Sequence, residues 1–295
     1  MPSAAAWVFV FVILTEPDHV KKHKYKMPRG MRYSSLVERA QFYCNEFNGK
    51  ALRRWKPFRK NTVISFLVGK YTQIYLKQFE DIRDDVVVID DYCNLRGLQE
   101  YLSKYLPEGV YYDTNHYEDL EICRGCPDCY EADKCLPCKH YVGQELVFDL
   151  DPENVYCPVH GDLDQKMKAH QGRMLCLIEF KILRKQTVLM YRELKQTYSN
   201  LRIVYSGRGF HIHVLDRDAT YLTRAERNSL ANAYARRFPI DEWVTAGNIK
   251  LIRLPYTLHG MISRVCVPIE PSELEHFDPV NYQPAIPRFL TFERN

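Results

Sequence analysis

The sequence predicts an α+β fold, and three observations support this class. Segments with strand composition and segments with helical spacing are mixed along the 295 residues, without the strict strand–helix–strand alternation of a doubly wound sheet. A hydrophobic content of 46% suffices for one large core or two modest ones. No internal repeat or Pro-rich or Gly/Ser-rich linker divides the chain. We therefore expect one domain over residues 31–295 with a small insert at about 121–140, after a poorly structured extension over residues 1–30.

Helices are predicted where apolar residues recur every three to four positions. An amphipathic pattern, MRYSSLVERAQFYCNEF, begins at Met31, and the leucines of CNLRGLQEYLSKYL also have helical spacing. A long helical stretch covers roughly 173–198, and TRAERNSLANAYARRF predicts a further helix.

Strands are predicted from runs rich in β-branched and aromatic residues. In chain order these runs are TVISFLVG, DVVVIDDY, GVYYDTNHY and ELVFDLD. LRIVYSGRGFHIHVLD then predicts a strand, a glycine turn and a second strand, and IKLIRLPYTLHG ends the well-patterned part.

Charge and cysteine usage limit the class of protein. The formal net charge of +4 and the pI near 8.4 suit contact with polyanions without requiring it. Five of the ten cysteines fall between 123 and 138 at short spacings, which favours a metal site in a reducing compartment, so we expect a cytoplasmic protein. The apolar run WVFVFVIL has only eight residues and no basic segment before it, and we expect no membrane partner.

Two aspartates interrupt a run that otherwise resembles a buried strand, ELVFDLDPEN. Side chains alternate across a strand, so Asp149 and Asp151 share one face. Two neighbouring carboxylates repel each other unless a cation or protons neutralise them. The run indicates either a strand with one solvated face or a divalent-metal site, since carboxylates together with substrate phosphates hold Mg²⁺ or Mn²⁺.

The segment YSGRGFHIHV combines a glycine turn with strict alternation. Its apolar residues share one face, which leaves His211 and His213 on the other. Glycine turns bring backbone N–H groups close to phosphates, and Ser206, Arg208 and His211 would add side-chain donors. Many hairpins have such turns for structural reasons alone.

A third acid and further cations follow in DEWVTAGNIKLIRLPYTLHG. Lys250 and Arg253 fall on opposite faces of an extended run, which would be typical of a solvated strand edge. The functional interpretation assigns Asp241 to the metals and Arg253 with His259 to a triphosphate, because cationic side chains neutralise transferring phosphoryl groups.

The segment CRGCPDCYEADKCLPC indicates a zinc site. Tetrahedral Zn²⁺ is typically held by two close pairs of thiolates, and five cysteines are available for four places. Cys135 and Cys138 would form one pair, and the other would be Cys126 with Cys129 or Cys123 with Cys126. The alternative is a set of unligated buried thiols.

ELVFDLD, YSGRGFHIHV, DEWV and LIRLPYTLHG, in this order, resemble the small catalytic subunit of archaeal and eukaryotic DNA primases, with the archaeal branch closer. The likeness runs from about 31 to 280. It implies the archaeo-eukaryotic primase catalytic fold over the main domain. It also implies roles residue by residue, in which Asp149, Asp151 and Asp241 match the metal-binding acids. The residues that match the nucleotide-binding positions are Ser206, Arg208, His211, Arg253 and His259.

The resemblance also implies an activity and partners. The chain would use Mg²⁺ or Mn²⁺ to join ribonucleoside triphosphates into short primers on single-stranded DNA, and it would pair with a primase large subunit. Primase small subunits of this kind carry a zinc knuckle after the first aspartates. Cys157, His160 and Cys176, with His170 as a further candidate, would form this second zinc site unless Cys176 is a core residue of the helix.

Two alternatives remain open. One is another polymerase of the same superfamily, such as the gap-filling polymerase of bacterial end-joining ligases, although the cysteine modules argue against it. The other is a nucleic-acid-binding zinc protein whose polymerase site has decayed. The run MISR after Gly260 departs from the family pattern and keeps this second alternative open.

Overall fold

The computed structural model describes residues 27–55, 62–80, 86–89, 95–125, 139–168 and 175–291. Two four-stranded antiparallel sheets form its centre, in the orders β2-β1-β3-β9 and β12-β7-β8-β6. Two small sheets pair β4 with β5 and β10 with β11. The mixed α+β architecture predicted from the sequence is therefore confirmed.

The strands have the following bounds: β1 Ile64–Leu67, β2 Val86–Ile89, β3 Gly109–Asp113, β4 Asn115–Tyr117, β5 Tyr141–Gln144, β6 Leu146–Leu150, β7 Leu201–Tyr205, β8 Phe210–Val214, β9 Leu251–Arg253, β10 Leu258–His259, β11 Arg264–Val265 and β12 Val267–Ile269. The α-helices are α1 Leu36–Asn45, α2 Gly49–Trp55, α3 Leu95–Tyr105, α4 Leu120–Gly125, α5 Leu163–Lys168, α6 Leu177–Leu194, α7 Arg217–Thr220, α8 Arg224–Ala235, α9 Glu242–Thr245 and α10 Pro271–Leu274.

Both faces of the second sheet are covered, since all five residues of β8 are buried. On one face the Phe210 ring lies 5.2 Å from that of Phe180 in α6. On the other face His213 Nδ1 lies 2.8 Å from a carboxylate oxygen of Glu145. The Tyr112 hydroxyl of β3 donates to the second oxygen of Glu145 at 3.1 Å. The histidine face of β8 is thus turned toward the first sheet.

Helix boundaries follow from capping residues. Helix α1 begins at Leu36 and not at Met31, because Ser35 and Glu38 form a reciprocal capping box there. The long helix predicted over roughly 173–198 is α6, and Cys176 is its N-cap residue. Thr223 and Glu226 cap α8 in the same reciprocal way.

The run GVYYDTNHY forms two strands where the sequence indicated one. Asp113 ends β3, and its carboxylate accepts a hydrogen bond of 2.8 Å from the backbone N–H of Asn115, which redirects the chain. Strand β4 then pairs with β5 and leaves the first sheet.

Several predictions from the sequence lie partly outside the described residues. The extension is described only from Met27, which packs against the core, and the Gly30 carbonyl accepts a hydrogen bond from Arg264 at 2.7 Å. Of the clustered cysteines only Cys123 is described, so the zinc insert at about 121–140 stays a prediction. Within the described ranges, no helix is both long and apolar enough to cross a membrane.

A fully buried lysine lies beneath the segment that follows β6. Lys166 of α5 is 0% exposed, and its ammonium donates to the carbonyls of Pro152 at 3.1 Å, Glu153 at 3.2 Å and Val155. It also lies 3.4 Å from a carboxylate oxygen of Glu179. A buried ammonium needs this many partners because burial removes its hydration. Lys166 therefore fixes the path of the chain immediately after Asp151.

We expect Lys166→Met to lower the free energy of unfolding by about 3–5 kcal/mol, because it removes the positive charge beside Glu179 and leaves three carbonyls without their donor. Lys168→Met, on the exposed end of the same helix, is the matched control and should change stability by less than about 0.5 kcal/mol. Urea unfolding of both variants measures the difference. Equal stability of the two variants would contradict a structural role for Lys166.

Candidate active site

Seven of the eight residues that the sequence assigned to catalysis and nucleotide binding line one cavity between the two large sheets. The cavity has a volume of about 210 Å³. The second sheet contributes Asp149 and His211, which lie directly opposite each other on β6 and β8. The first sheet contributes Tyr111 and Arg253, which are also opposite each other. Each strand pair thus presents two polar side chains to the same space.

Asp241, the eighth residue, lies beside this cavity although it is far from Asp149 in sequence. Its backbone N–H donates to the Asp149 carbonyl at 2.7 Å, and Leu150 and Ile240 form an isolated antiparallel bridge. The segment before α9 therefore runs along the end of β6. The Asp241 carboxylate accepts a hydrogen bond of 2.9 Å from the Trp243 N–H as the N-cap of that helix.

The acids at the end of β6 repel one another. Burial raises the pKa of Asp149 well above its usual value, and the charges of Asp151, Asp241 and Glu153 add to this effect. Burial and then Glu153 raise the pKa of Asp151 to about 7. Burial raises the pKa of Asp241 as well, although the N–H groups at the start of α9 oppose the shift. Such a group of carboxylates favours a bound cation.

One carboxylate oxygen is left without a hydrogen bond. Asp149 Oδ1 is buried and has no hydrogen-bond partner among the described residues. His211 Nε2 lies 3.4 Å away without forming a hydrogen bond to it. An unsatisfied buried oxygen between two further acids fits the donor set of a hard divalent cation.

The glycine turn between β7 and β8 packs tightly against its surroundings. The Ser206 hydroxyl accepts a hydrogen bond of 3.0 Å from the Gly209 N–H and closes the turn. Gly207 has a φ of +105°, and a Cβ there would lie 2.7 Å from the His259 Cβ. A Cβ on Gly209 would lie 2.2 Å from the Leu150 carbonyl oxygen. Both glycines allow the turn to approach β6 and His259.

The Arg208 side chain is already paired with an acid. Its guanidinium donates to both carboxylate oxygens of Glu153 at 2.6 Å. Burial works against the charge of Arg208, but Glu153 and Asp151 outweigh it and raise its pKa. Glu153 also lines the cavity, and it was not predicted from the sequence. The sequence signal that could have identified Glu153 is its position two residues beyond Asp151, in the same acidic run.

Three further buried nitrogens in the cavity have no hydrogen-bond partner within the described part of the chain: His211 Nδ1, His259 Nδ1 and Arg253 NH1. Arg253 is held by Tyr111, whose hydroxyl accepts a hydrogen bond of 2.5 Å and whose ring lies 4.6 Å below the guanidinium. Burial holds the pKa of both His211 and His259 well below the usual value. His213 lowers the pKa of His211 further, and the Arg253 charge lowers that of His259 further. Both imidazoles are therefore neutral at neutral pH.

A second cluster of candidate ligands lies beyond Lys166. The ligand atoms of Cys157, His160, Cys176 and Glu179 all lie within 4.8 Å of one another. The first three were predicted from the sequence, whereas the further candidate His170 lies outside the described residues. Glu179 was missed, although Cys176 and Glu179 repeat the three-residue spacing of Cys157 and His160. Thiolate, imidazole and carboxylate donors at this separation fit a tetrahedral zinc site.

The chain is similar to archaeal proteins over most of its length. It is 48% identical over 271 residues to the "Uncharacterized DNA primase small subunit-like protein" of Archaeoglobus fulgidus, which covers 90% of this chain and 94% of the relative. It is 29% identical over 203 residues to the DNA primase small subunit PriS of Pyrococcus furiosus, covering 68% of this chain and 48% of that protein. The chain therefore spans about half the length of the Pyrococcus relative.

Other comparisons are more distant. The PriS protein of Pyrobaculum calidifontis is 26% identical over 227 residues, which cover 62% of this chain and 66% of that protein. Among solved structures, the polymerase domain of Mycobacterium tuberculosis Ligase D in complex with DNA aligns with 88% of this chain at a TM-score of 0.45 and 15% identity. The alignment covers 87% of that domain. No protein-family model matches the chain.

An identity of 48% that extends over nine-tenths of this chain confirms the resemblance drawn from the four ordered motifs. The chain belongs to the archaeo-eukaryotic family of DNA primase small subunits.

Proposed function

We propose that this protein is the catalytic small subunit of a DNA primase, which joins ribonucleotides into short primers on single-stranded DNA. The observation that carries the proposal is the pairing of two opposite chemistries in one cavity. Asp149, Asp151 and Glu153 supply clustered carboxylates, and Arg253 with His259 supplies buried nitrogens without hydrogen-bond partners in the described chain. A nucleoside triphosphate bound together with divalent cations would serve both groups. The cations would neutralise the carboxylates, and the phosphates would accept hydrogen bonds from the nitrogens.

Each side chain then has a distinct task. Asp149, Asp151 and Asp241 would hold two Mg²⁺ or Mn²⁺ ions. These ions would activate the attacking 3′-hydroxyl and neutralise the leaving pyrophosphate. Arg253, fixed by its contacts with Tyr111, would bind phosphate oxygens with its unsatisfied NH1. His259, neutral before the nucleotide arrives, would donate one ring N–H to the same phosphates.

Arg208 would reach the phosphates only by exchanging partners. Its guanidinium already donates to Glu153, so a phosphate must compete with a carboxylate that accepts two hydrogen bonds. The glycine turn carries Arg208, and the Ser206 hydroxyl closes this turn by accepting from the Gly209 N–H. Ser206 would thus act through the backbone and not by direct contact.

We further propose that the Cys157, His160, Cys176 and Glu179 cluster binds zinc in a structural role. All four ligand atoms belong to the segment after β6 and to the start of α6, so the ion would join these two elements. The partners proposed for the whole protein are a primase large subunit, a single-stranded DNA template and nucleoside triphosphates. Each of these is carried over from the family.

Primer synthesis on single-stranded DNA tests the main proposal. With Mn²⁺ or Mg²⁺, and with and without a large subunit, we expect labelled ribonucleotides to be incorporated by the wild-type protein. Asp149→Asn should reduce incorporation by at least about 100-fold, because it removes a metal-binding carboxylate. Synthesis confined to gapped duplexes would favour the end-joining alternative, and no synthesis under any condition would favour a decayed site.

Arg253→Ala should raise the Michaelis constant for nucleotide by about ten- to a hundredfold, because a charge-assisted phosphate contact is lost. Arg253→Lys should recover only part of the loss, since an ammonium cannot form the paired contacts of a guanidinium. Template affinity should not change. Arg217→Ala, at an exposed position, is the control. A lower melting temperature with an unaltered Michaelis constant would make Arg253 a structural residue.

Asp151→Asn should stabilise the metal-free protein at pH 8 by about 1–3 kcal/mol. The folded-state pKa of about 7 exceeds the usual 3.8, so the folded state binds this proton more tightly than the unfolded state. The stability linked to Asp151 is therefore complete below pH 4 and is lost as the pH rises through 7. The variant avoids the loss because its amide does not ionise.

Thermal unfolding from pH 4 to 8, in the presence of a chelator, measures this effect. The gap between Asp151→Asn and the wild-type protein should close toward pH 4, and Mn²⁺ should stabilise the wild-type protein more than the variant. A difference in stability between the two proteins that does not change with pH would show that folding does not raise the pKa of Asp151.

A further inference from the structure

A groove opens beside the catalytic cavity and is separate from it. It has a volume of about 310 Å³ and lies between three elements. One wall is the segment 154–156, which begins at the last residue of the short 3₁₀ helix Pro152–Asn154 after Asp151. The floor includes Ile182 and Gln186 of α6, and the second wall is the segment Ala235–Pro239 at the end of α8. We call this feature the Tyr156 groove.

Both walls of the groove continue into the segments that carry the acids. Tyr156 follows Asp151 by five residues, and Pro239 precedes Asp241 by two. The bridge between Leu150 and Ile240 joins the two segments at the end of β6. The groove and the acids are therefore carried by the same two chain segments, which meet at the end of β6.

The lining of the groove has the chemistry of a nucleic-acid surface. Its charged residues are Arg236 and Arg237, and none of its lining residues in the described part of the chain is acidic. Tyr156 is 69% exposed, which is high for an aromatic side chain. Arg237 lies 5.1 Å above the ring of Phe238 and also pairs with Glu193, whereas Arg236 is exposed and has no ion pair among the described residues.

We propose that the Tyr156 groove binds single-stranded nucleic acid next to the reacting end, with one base stacked on Tyr156 and a backbone phosphate on Arg236. This inference rests on the proposed function and adds a site to it. Bases stack on aromatic side chains whatever their sequence, and cations along the same groove follow the phosphates. A polymerase that must accept every template sequence needs contacts of this kind.

The position of Tyr156 favours a role in holding the strand. The Val155 carbonyl accepts a hydrogen bond from the buried Lys166 ammonium, so the backbone beside Tyr156 is fixed even though its ring is exposed. A ring on a fixed backbone loses little conformational freedom on binding, which increases the gain from stacking.

Fluorescence anisotropy with a labelled oligothymidylate, without nucleotide or metal, tests the inference on the full chain. Tyr156→Ala should weaken binding by about 5- to 100-fold, since one stacked base is lost, whereas Tyr156→Phe should bind like the wild-type protein. Arg236→Ala should weaken binding and lower the dependence of log affinity on log salt by about one unit. Tyr221→Ala, whose ring is 44% exposed outside the groove, should have no effect.

The outcomes separate this site from the catalytic proposal. Unchanged oligonucleotide binding by both Tyr156→Ala and Arg236→Ala overturns the groove, whether or not primers are made. Weaker binding by these variants supports the groove even if the wild-type protein makes no primers. A loss of large-subunit binding in Tyr156→Ala, with unchanged oligonucleotide affinity, would identify the groove as a protein interface and overturn its assignment to nucleic acid. Melting temperatures within about 2 °C of the wild-type value confirm that each variant is folded.

Discussion

Repulsion among carboxylates at one end of β6 is the constraint on which much of the structure depends. Asp149, Asp151, Glu153 and Asp241 are close enough for each charge to affect the proton affinity of its neighbours. The free energy of unfolding of a protein domain is small, so the fold tolerates little uncompensated repulsion of this kind. The surrounding chain offsets the repulsion locally, through Arg208 on Glu153 and through the N–H groups of α9 on Asp241.

The first sheet supplies the complementary charge. Arg253 approaches the cavity from β9, and its position depends on Tyr111 in the neighbouring strand. The acids and this cation face each other across the cavity without forming an ion pair of their own in the described chain. A ligand that carries both phosphate and divalent cations would fit between them, whereas a direct contact between Arg253 and these acids would fill that space.

Much of the fold and site could be predicted because it depends on local periodicity. Alternation along the sequence placed Asp149 with Asp151 and His211 with His213, and the antiparallel pairing of β6 with β8 sets Asp149 opposite His211. Glu153 and Lys166 could not be found in this way. Their partners lie 55 residues away in Arg208 and 13 residues away in Glu179, and the contacts arise only after packing. Lys166 and Lys168 belong to the same short helix, and nothing in the local pattern distinguishes the buried one.

Glu179 contacts two neighbours that belong to different sites. One of its carboxylate oxygens lies 3.2 Å from His160 in the candidate metal cluster and 3.4 Å from Lys166 beneath the catalytic segment. Sequence changes at these positions are therefore not independent during evolution, since the energetic effect of each depends on the residue present at the others. A lineage that abandoned the metal ligands would still have to keep an acid at position 179 for Lys166, or replace both residues together. Substitutions in the metal cluster and at Lys166 would then be expected to occur together.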